Sequence, residues 1–197
     1  MKNIKEYLQS FSETLKEVIV TDRQESSVSL ESAVSQAVEM ITSLAANSCK
    51  VMLIGNGGSA ALVSHMQNDL CASVGVRALV FNETSLLTAL TNDHGYATAF
   101  KRLVELWTDA GDLLIAVSSS GKSENILQAV QAATERGAQV ITFSGFQETN
   151  PLRSLGDLNF YIDSNAYGFV ECSHMSLMHA LTDLAMTARL EEKRARG

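Results

Sequence analysis

Several things are scarce in this sequence, and each scarcity closes off a class of protein. There is one proline in 197 residues, Pro151, and no low-complexity tract, so nothing reads as a linker between domains. Three cysteines, Cys49, Cys71 and Cys172, form no Cys-x-x-Cys pair. That removes zinc-finger and disulfide-framework readings and leaves free thiols suited to a reducing compartment. No apolar run approaches the ~20 residues that span a bilayer. The opening "MKNIKEYLQSFSETLKEVIV" mixes charge with apolar residues at helical spacing. It lacks the apolar stretch and small-residue cleavage site of a secretory leader, so a cytoplasmic protein without membrane contact is expected. Positive charge is also in deficit. The net charge is −7, which argues against a nucleic-acid partner.

What is present is alternation. Residues 4–20 and 28–47 read as amphipathic helices, with Leu8, Phe11, Leu15 and Val18 on one stripe of the first,. Short apolar runs then alternate with helical segments. "KVMLIG", "RALVF", "DLLIAVS", "AQVITFSG" and "LNFYI" are the strand candidates, and a long helix from "FVECSHMSLMHALTDLAM" closes the chain. Strands alternating with helices predict right-handed βαβ units, hence a doubly wound, flavodoxin-like α/β sandwich on a five-stranded parallel sheet. One domain spans 1–197, with the helices of 1–47 set for oligomerisation and 48–197 as the α/β core. Ligands of such sheets bind outside the carboxyl ends of the strands.

Two polar turns fall at those ends, "GNGGS" (55–59) and "SSSGKS" (118–123). The second is not an ATP loop, because Ala116 stands where the first glycine of G-x-x-x-x-G-K-[ST] must be,. Gly55, Gly57 and Ala60 satisfy a dinucleotide fingerprint, but Glu83 comes well beyond the ~20 positions at which its ribose-binding acid is found,. No nucleotide cofactor is expected. Together the turns suit one phosphate. Ser118, Ser119, Ser120 and Ser123 offer hydroxyls and a helix N-terminus, while glycine lets a ligand approach the backbone. Helix capping alone needs only one serine.

These turns, with "NDHGYATAF" between them, resemble the sugar isomerase (SIS) domain, and most closely its phosphoheptose isomerases. The resemblance covers nearly the whole chain and is most specific in "SHMQND" and "ECSHMSLMH". It implies interconversion of sedoheptulose 7-phosphate and a glycero-manno-heptose 7-phosphate through an enediol. It also implies Asp69 and His179 as proton-moving groups, and a zinc ion on His65, Asp69, Glu171 and His179. Asn56, Gly57, Gly58, Ser59, Asn92, Asp93 and Glu171 are implied to hold the sugar, with the four serines on its phosphate. Family members assemble as homotetramers, so His65 and Asp69 are expected to meet Glu171 and His179 across a subunit boundary.

The chain departs from the family at three positions. Asp69 stands for glutamate, Glu171 for glutamine, and Ser73 for an arginine, whose phosphate contact Arg77 or Lys122 is expected to replace. His94 and His174 are expected at the surface or behind the site, with no role. Some relatives are adaptors that bind a replication initiator without catalysis, and that is the alternative reading.

Overall fold

The computed structural model describes residues 3–45 and 48–196. The first helix, α1 (Ile4–Lys16), is capped by Asn3, whose side chain accepts from the Glu6 amide,. It stops short of residue 20. The β-branched run Val18-Ile19-Val20-Thr21 turns extended, and Ile19–Asp22 forms β1. Such side chains lose rotamer freedom in a helix and pack well on a pleated surface. β1 pairs antiparallel with β2 (Ser27–Val28) and with β7 (Leu158–Ile162), so it covers a sheet edge that would otherwise stand open,. α2 (Leu30–Ser43) follows with Ser29 as its cap. The end of the expected 28–47 helix, at residues 46 and 47, lies outside the described residues.

The remaining elements alternate. They are β3 (Val51–Gly55), α3 (Gly58–Asp69), β4 (Ala78–Val80), α4 (Thr84–His94), α5 (Tyr96–Trp107), β5 (Leu113–Ser118), α6 (Glu124–Glu135), β6 (Gln139–Gly145), β7 and α7 (Tyr167–Arg196). The strand order is β2-β1-β7-β6-β5-β3-β4. From β7 to β4 all pairings are parallel, so the expected five-stranded parallel sheet is present. The β1–β2 hairpin extends it to seven.

Both faces of the sheet are covered. Along β3, Val51 and Leu53 enter the core shared with α2, α3 and α7, while Met52 and Ile54 enter the core shared with α5 and α6. That is the two-residue period of a strand buried on both sides. The leading segment belongs to this body as well. Ala33, Ala37 and Ile41 of α2 are fully buried in the first core, so α2 is part of the α/β body. No described helix is long and apolar enough to cross a membrane.

α7 carries one histidine deep inside. His174 is completely buried, not at the surface. Its Nε2 donates to the Ser144 carbonyl at 3.1 Å, and its Nδ1 has no partner. Burial disfavours the charged ring and pushes its pKa down to about 4,. This is a neutral core histidine.

Candidate functional site

The serine loop leaves the end of β5 and turns back on itself, the Gly121 amide donating to the Ser118 carbonyl at 2.9 Å. Gly121 has φ of +61°, and a side chain there would run into the Asn150 amide. Both facts demand glycine. Ser123 occupies the N-cap of α6, yet its hydroxyl makes no capping bond; it accepts from the Ser118 hydroxyl at 3.2 Å. The Ser119 hydroxyl is buried and unpartnered. The hydroxyls are therefore not used up in capping, and those of Ser119, Ser120 and Ser123 with the N-terminus of α6 form a donor set that suits an anion,.

The second turn faces this loop across one cavity of about 260 Å³. Its lining holds Asn56, Gly57, Gly58 and Ser59 on one side, and Ser118, Ser119, Ser120 and Ser123 on the other. Glu171 and Tyr167 close it from the start of α7. Gly58 leaves room for the Glu171 carboxylate, since a Cβ there would sit 2.5 Å from Glu171 Oε1. Among the described residues no lysine or arginine lines this cavity. Lys122 donates instead to Gln147 at 2.6 Å, and Arg77 precedes β4 at the other end of the sheet, where it acts on Asp109. Neither replaces the missing arginine. A larger cavity, about 490 Å³ between Thr21, Glu148 and Arg153, touches none of the expected residues. Donor chemistry, not size, marks the smaller one as the site.

Farther along the same two helices lies a second constellation. His65 and Asp69 are one turn apart on α3, and His179 comes from α7. Asp69 Oδ2 stands 3.6 Å from His65 Nε2 and 3.5 Å from His179 Nδ1. The two rings are 5.0 Å apart, edge to face. One chain assembles this cluster, so no subunit boundary is required. Bonds of ~2.1 Å to a tetrahedral zinc place neighbouring ligand atoms ~3.4 Å apart, close to the two separations seen. The three groups fit a metal and leave a coordination position open. Among the described residues His65, Asp69 and His179 are the donors grouped closely enough to hold an ion; Glu171, eight residues before His179 on α7, lines the neighbouring cavity.

Asn92 and Asp93 stand apart from both groups in the single chain. They end α4 exposed, Asn92 Nδ2 donating to Asp93 Oδ1 at 3.0 Å, and line neither constellation. The residue from that stretch which reaches the site is Tyr96, whose hydroxyl donates to Asn56 Oδ1 at 2.6 Å. Tyr96, Asn125 and Tyr167 were missed from the sequence. Asn125 sits inside the serine-loop stretch, but an asparagine in a first helical turn is unremarkable until its partner is known.

The SIS domain family matches residues 6–145. The chain belongs to the SIS domain family. It falls among the family's phosphoheptose isomerases: the enzyme of Aliarcobacter butzleri is 34% identical over 187 residues, covering 92% of this chain and 94% of its own. That of Citrifermentans bemidjiense is 33% identical, covering 85% and 88%. The solved phosphoheptose isomerase of Neisseria gonorrhoeae superposes with a TM-score of 0.79 at 27% identity, over 92% of this chain and 95% of its own.

Proposed function

We propose that the chain is an aldose–ketose isomerase, interconverting D-sedoheptulose 7-phosphate and D-glycero-D-manno-heptose 7-phosphate. One observation carries the reading. α3 and α7 together frame a donor-lined anion cavity and, farther along, a carboxylate held between two imidazoles. The serine loop takes the phosphate.

In this mechanism the Asp69 carboxylate takes a proton from C1 of the ketose, and an enediol forms. His179 gives a proton to O2 and takes one from O1, while Asp69 returns its proton to C2, leaving the aldose. Glu171 has no donor of its own, so it holds a sugar hydroxyl by accepting from it. Asn56 and the Gly57–Gly58 backbone hold others, since positioning contributes much of the gain in such a step. A divalent ion on His65, Asp69 and His179, for which zinc suits the donor set, polarises the substrate carbonyl when bound.

The exposed apolar residues Ile4 and Leu8 of α1 and Leu184 and Leu190 of α7 support a homotetramer, working in the cytoplasm. Incubating the purified chain with sedoheptulose 7-phosphate and following the aldose signal by NMR tests the activity. Turnover is expected. Phosphosugar binding without turnover at any metal loading would instead leave a binding or adaptor protein.

A further inference from the structure

The two loops of the anion cavity are joined by a side-chain bond that neither needs for its own fold. Asn56, in the glycine turn after β3, and Asn125, in the first turn of α6, exchange two hydrogen bonds. Asn56 Nδ2 donates to Asn125 Oδ1 and Asn125 Nδ2 donates to Asn56 Oδ1, both at 2.9 Å. Asn125 is 3% exposed. The Tyr96 hydroxyl also donates to Asn56 Oδ1, at 2.6 Å. A separation that short belongs to a hydroxyl meeting a carbonyl oxygen rather than an amide N–H, and it fixes which way the Asn56 amide is turned. Asn56 Oδ1 then accepts twice and one Nδ2 hydrogen is used. The side-chain donor left to Asn56, which lines the cavity, is its other Nδ2 hydrogen.

The serine loop is gripped on its far side as well. The Asn150 side chain fills the space that Gly121 leaves and donates to Ser144 Oγ and the Gly145 and Gln147 carbonyls. The loop's position relative to β6 is thus set by Asn150, and its position relative to the glycine turn by Asn125.

We propose that Asn125 is a positioning residue of the sugar phosphate site. Acting through Asn56, it sets the gap between the two loops and turns one amide N–H of Asn56 toward a ligand oxygen. Without the pair the Asn56 amide is free to rotate, and the site loses both the gap and the donor. The inference rests on the sugar phosphate reading above, and its test separates the two.

The probe is inorganic phosphate, titrated by calorimetry into the full chain, alongside kinetics on the ketose phosphate. Asn125→Leu keeps the branched shape and the number of side-chain heavy atoms and adds no charge. It is expected to weaken phosphate and raise KM about tenfold, the cost of an unmade buried hydrogen bond. It should leave kcat and zinc affinity within about twofold, because it touches neither Asp69 nor the histidines. In an Asn56→Ala background the same change should add little, since the partner through which it acts is gone. Tyr96→Phe, an exposed deletion of one hydroxyl that tests the proposal even if Asn125→Leu fails to fold, should weaken phosphate about threefold. Parent-like phosphate affinity in Asn125→Leu or in Tyr96→Phe would overturn the proposal. So would a full additional loss in the Asn56→Ala background, or equal losses of phosphate and zinc, either of which marks a general role in the fold. If phosphate affinity shifts as expected but no variant or parent turns over sugar, the isomerase reading fails and the positioning role stands.

Discussion

The serine loop and the histidine–aspartate cluster lie on the same helices and are built in opposite ways. The loop is closed by its own chain. Ser118 and Ser119 are buried, Gly121 is pinned by Asn150, and each loop is tied to its neighbour by a buried amide. The cluster is open. The side chains of His65 and His179 are about half exposed, and Asp69 lies beyond hydrogen-bond reach of both rings. A preorganised cage suits an invariant group such as a phosphate, whose binding then costs little reordering. Three ligating groups spaced ~3.5 Å apart suit a centre completed by a metal or by the reacting carbons. On the proposed reading one region binds and the other does the chemistry, and substitutions should separate them.

The largest effect is expected at the cluster. Asp69→Asn keeps the shape and removes the base, so kcat should fall about a thousandfold while phosphate affinity stays within twofold. Steady-state kinetics and calorimetry on one preparation check both halves. The loop should respond the other way: Ser119→Ala with Ser120→Ala removes two donors to a charged group, and KM should rise about a hundredfold with kcat little changed. A fall in kcat equal to the rise in KM would erase the distinction between the regions.

Stability should report on a third group that belongs to neither. His174 titrates near 4 when folded against 6.5 when free. The fold is therefore fully stable above pH ~6.5 and loses stability as pH falls toward 4, because the unfolded chain takes up the proton first; the loss reaches about 3 kcal/mol. Denaturant melts of the parent and His174→Gln across that window check it, and the variant should show the shallower slope. A smaller effect is expected from Glu171→Gln. It removes a carboxylate from a cavity that no described lysine or arginine lines, and phosphate should bind about fivefold tighter, on the scale of one screened charge pair at ~4 Å.

The difference between the regions also explains what could be read from sequence. The five parallel strands were legible because each is an apolar run ending in small polar residues, and eight of the residues lining the anion cavity fall in two contiguous turns. Local sequence places local structure. The β1–β2 hairpin was not legible: Ile19 and Val20 continue a helical stripe, and what decides their state is the open edge of β7, far along the chain. Glu171 shares a helix face with His179, yet that it lines the anion cavity with its carboxylate against Gly58 depends on how α7 packs on α3, which the local sequence does not give. Asn92 and Asp93 were expected at the sugar; in the single chain the end of α4 carries them into solvent. His174 looks like any polar residue of a helix until the Phe143 ring and the Ser144 carbonyl are found against it.

The central claim is that Asp69 moves a carbon-bound proton while the serine loop only holds the phosphate. Incubation with sedoheptulose 7-phosphate in D₂O, followed by proton NMR at C1 of the ketose and C2 of the aldose, tests it most directly. The account predicts deuterium at both carbons for the parent, and for the Ser119→Ala/Ser120→Ala protein at high substrate, with none for Asp69→Asn. Deuterium incorporation by Asp69→Asn at the parent rate, or none by the parent with bound zinc and substrate, would contradict it.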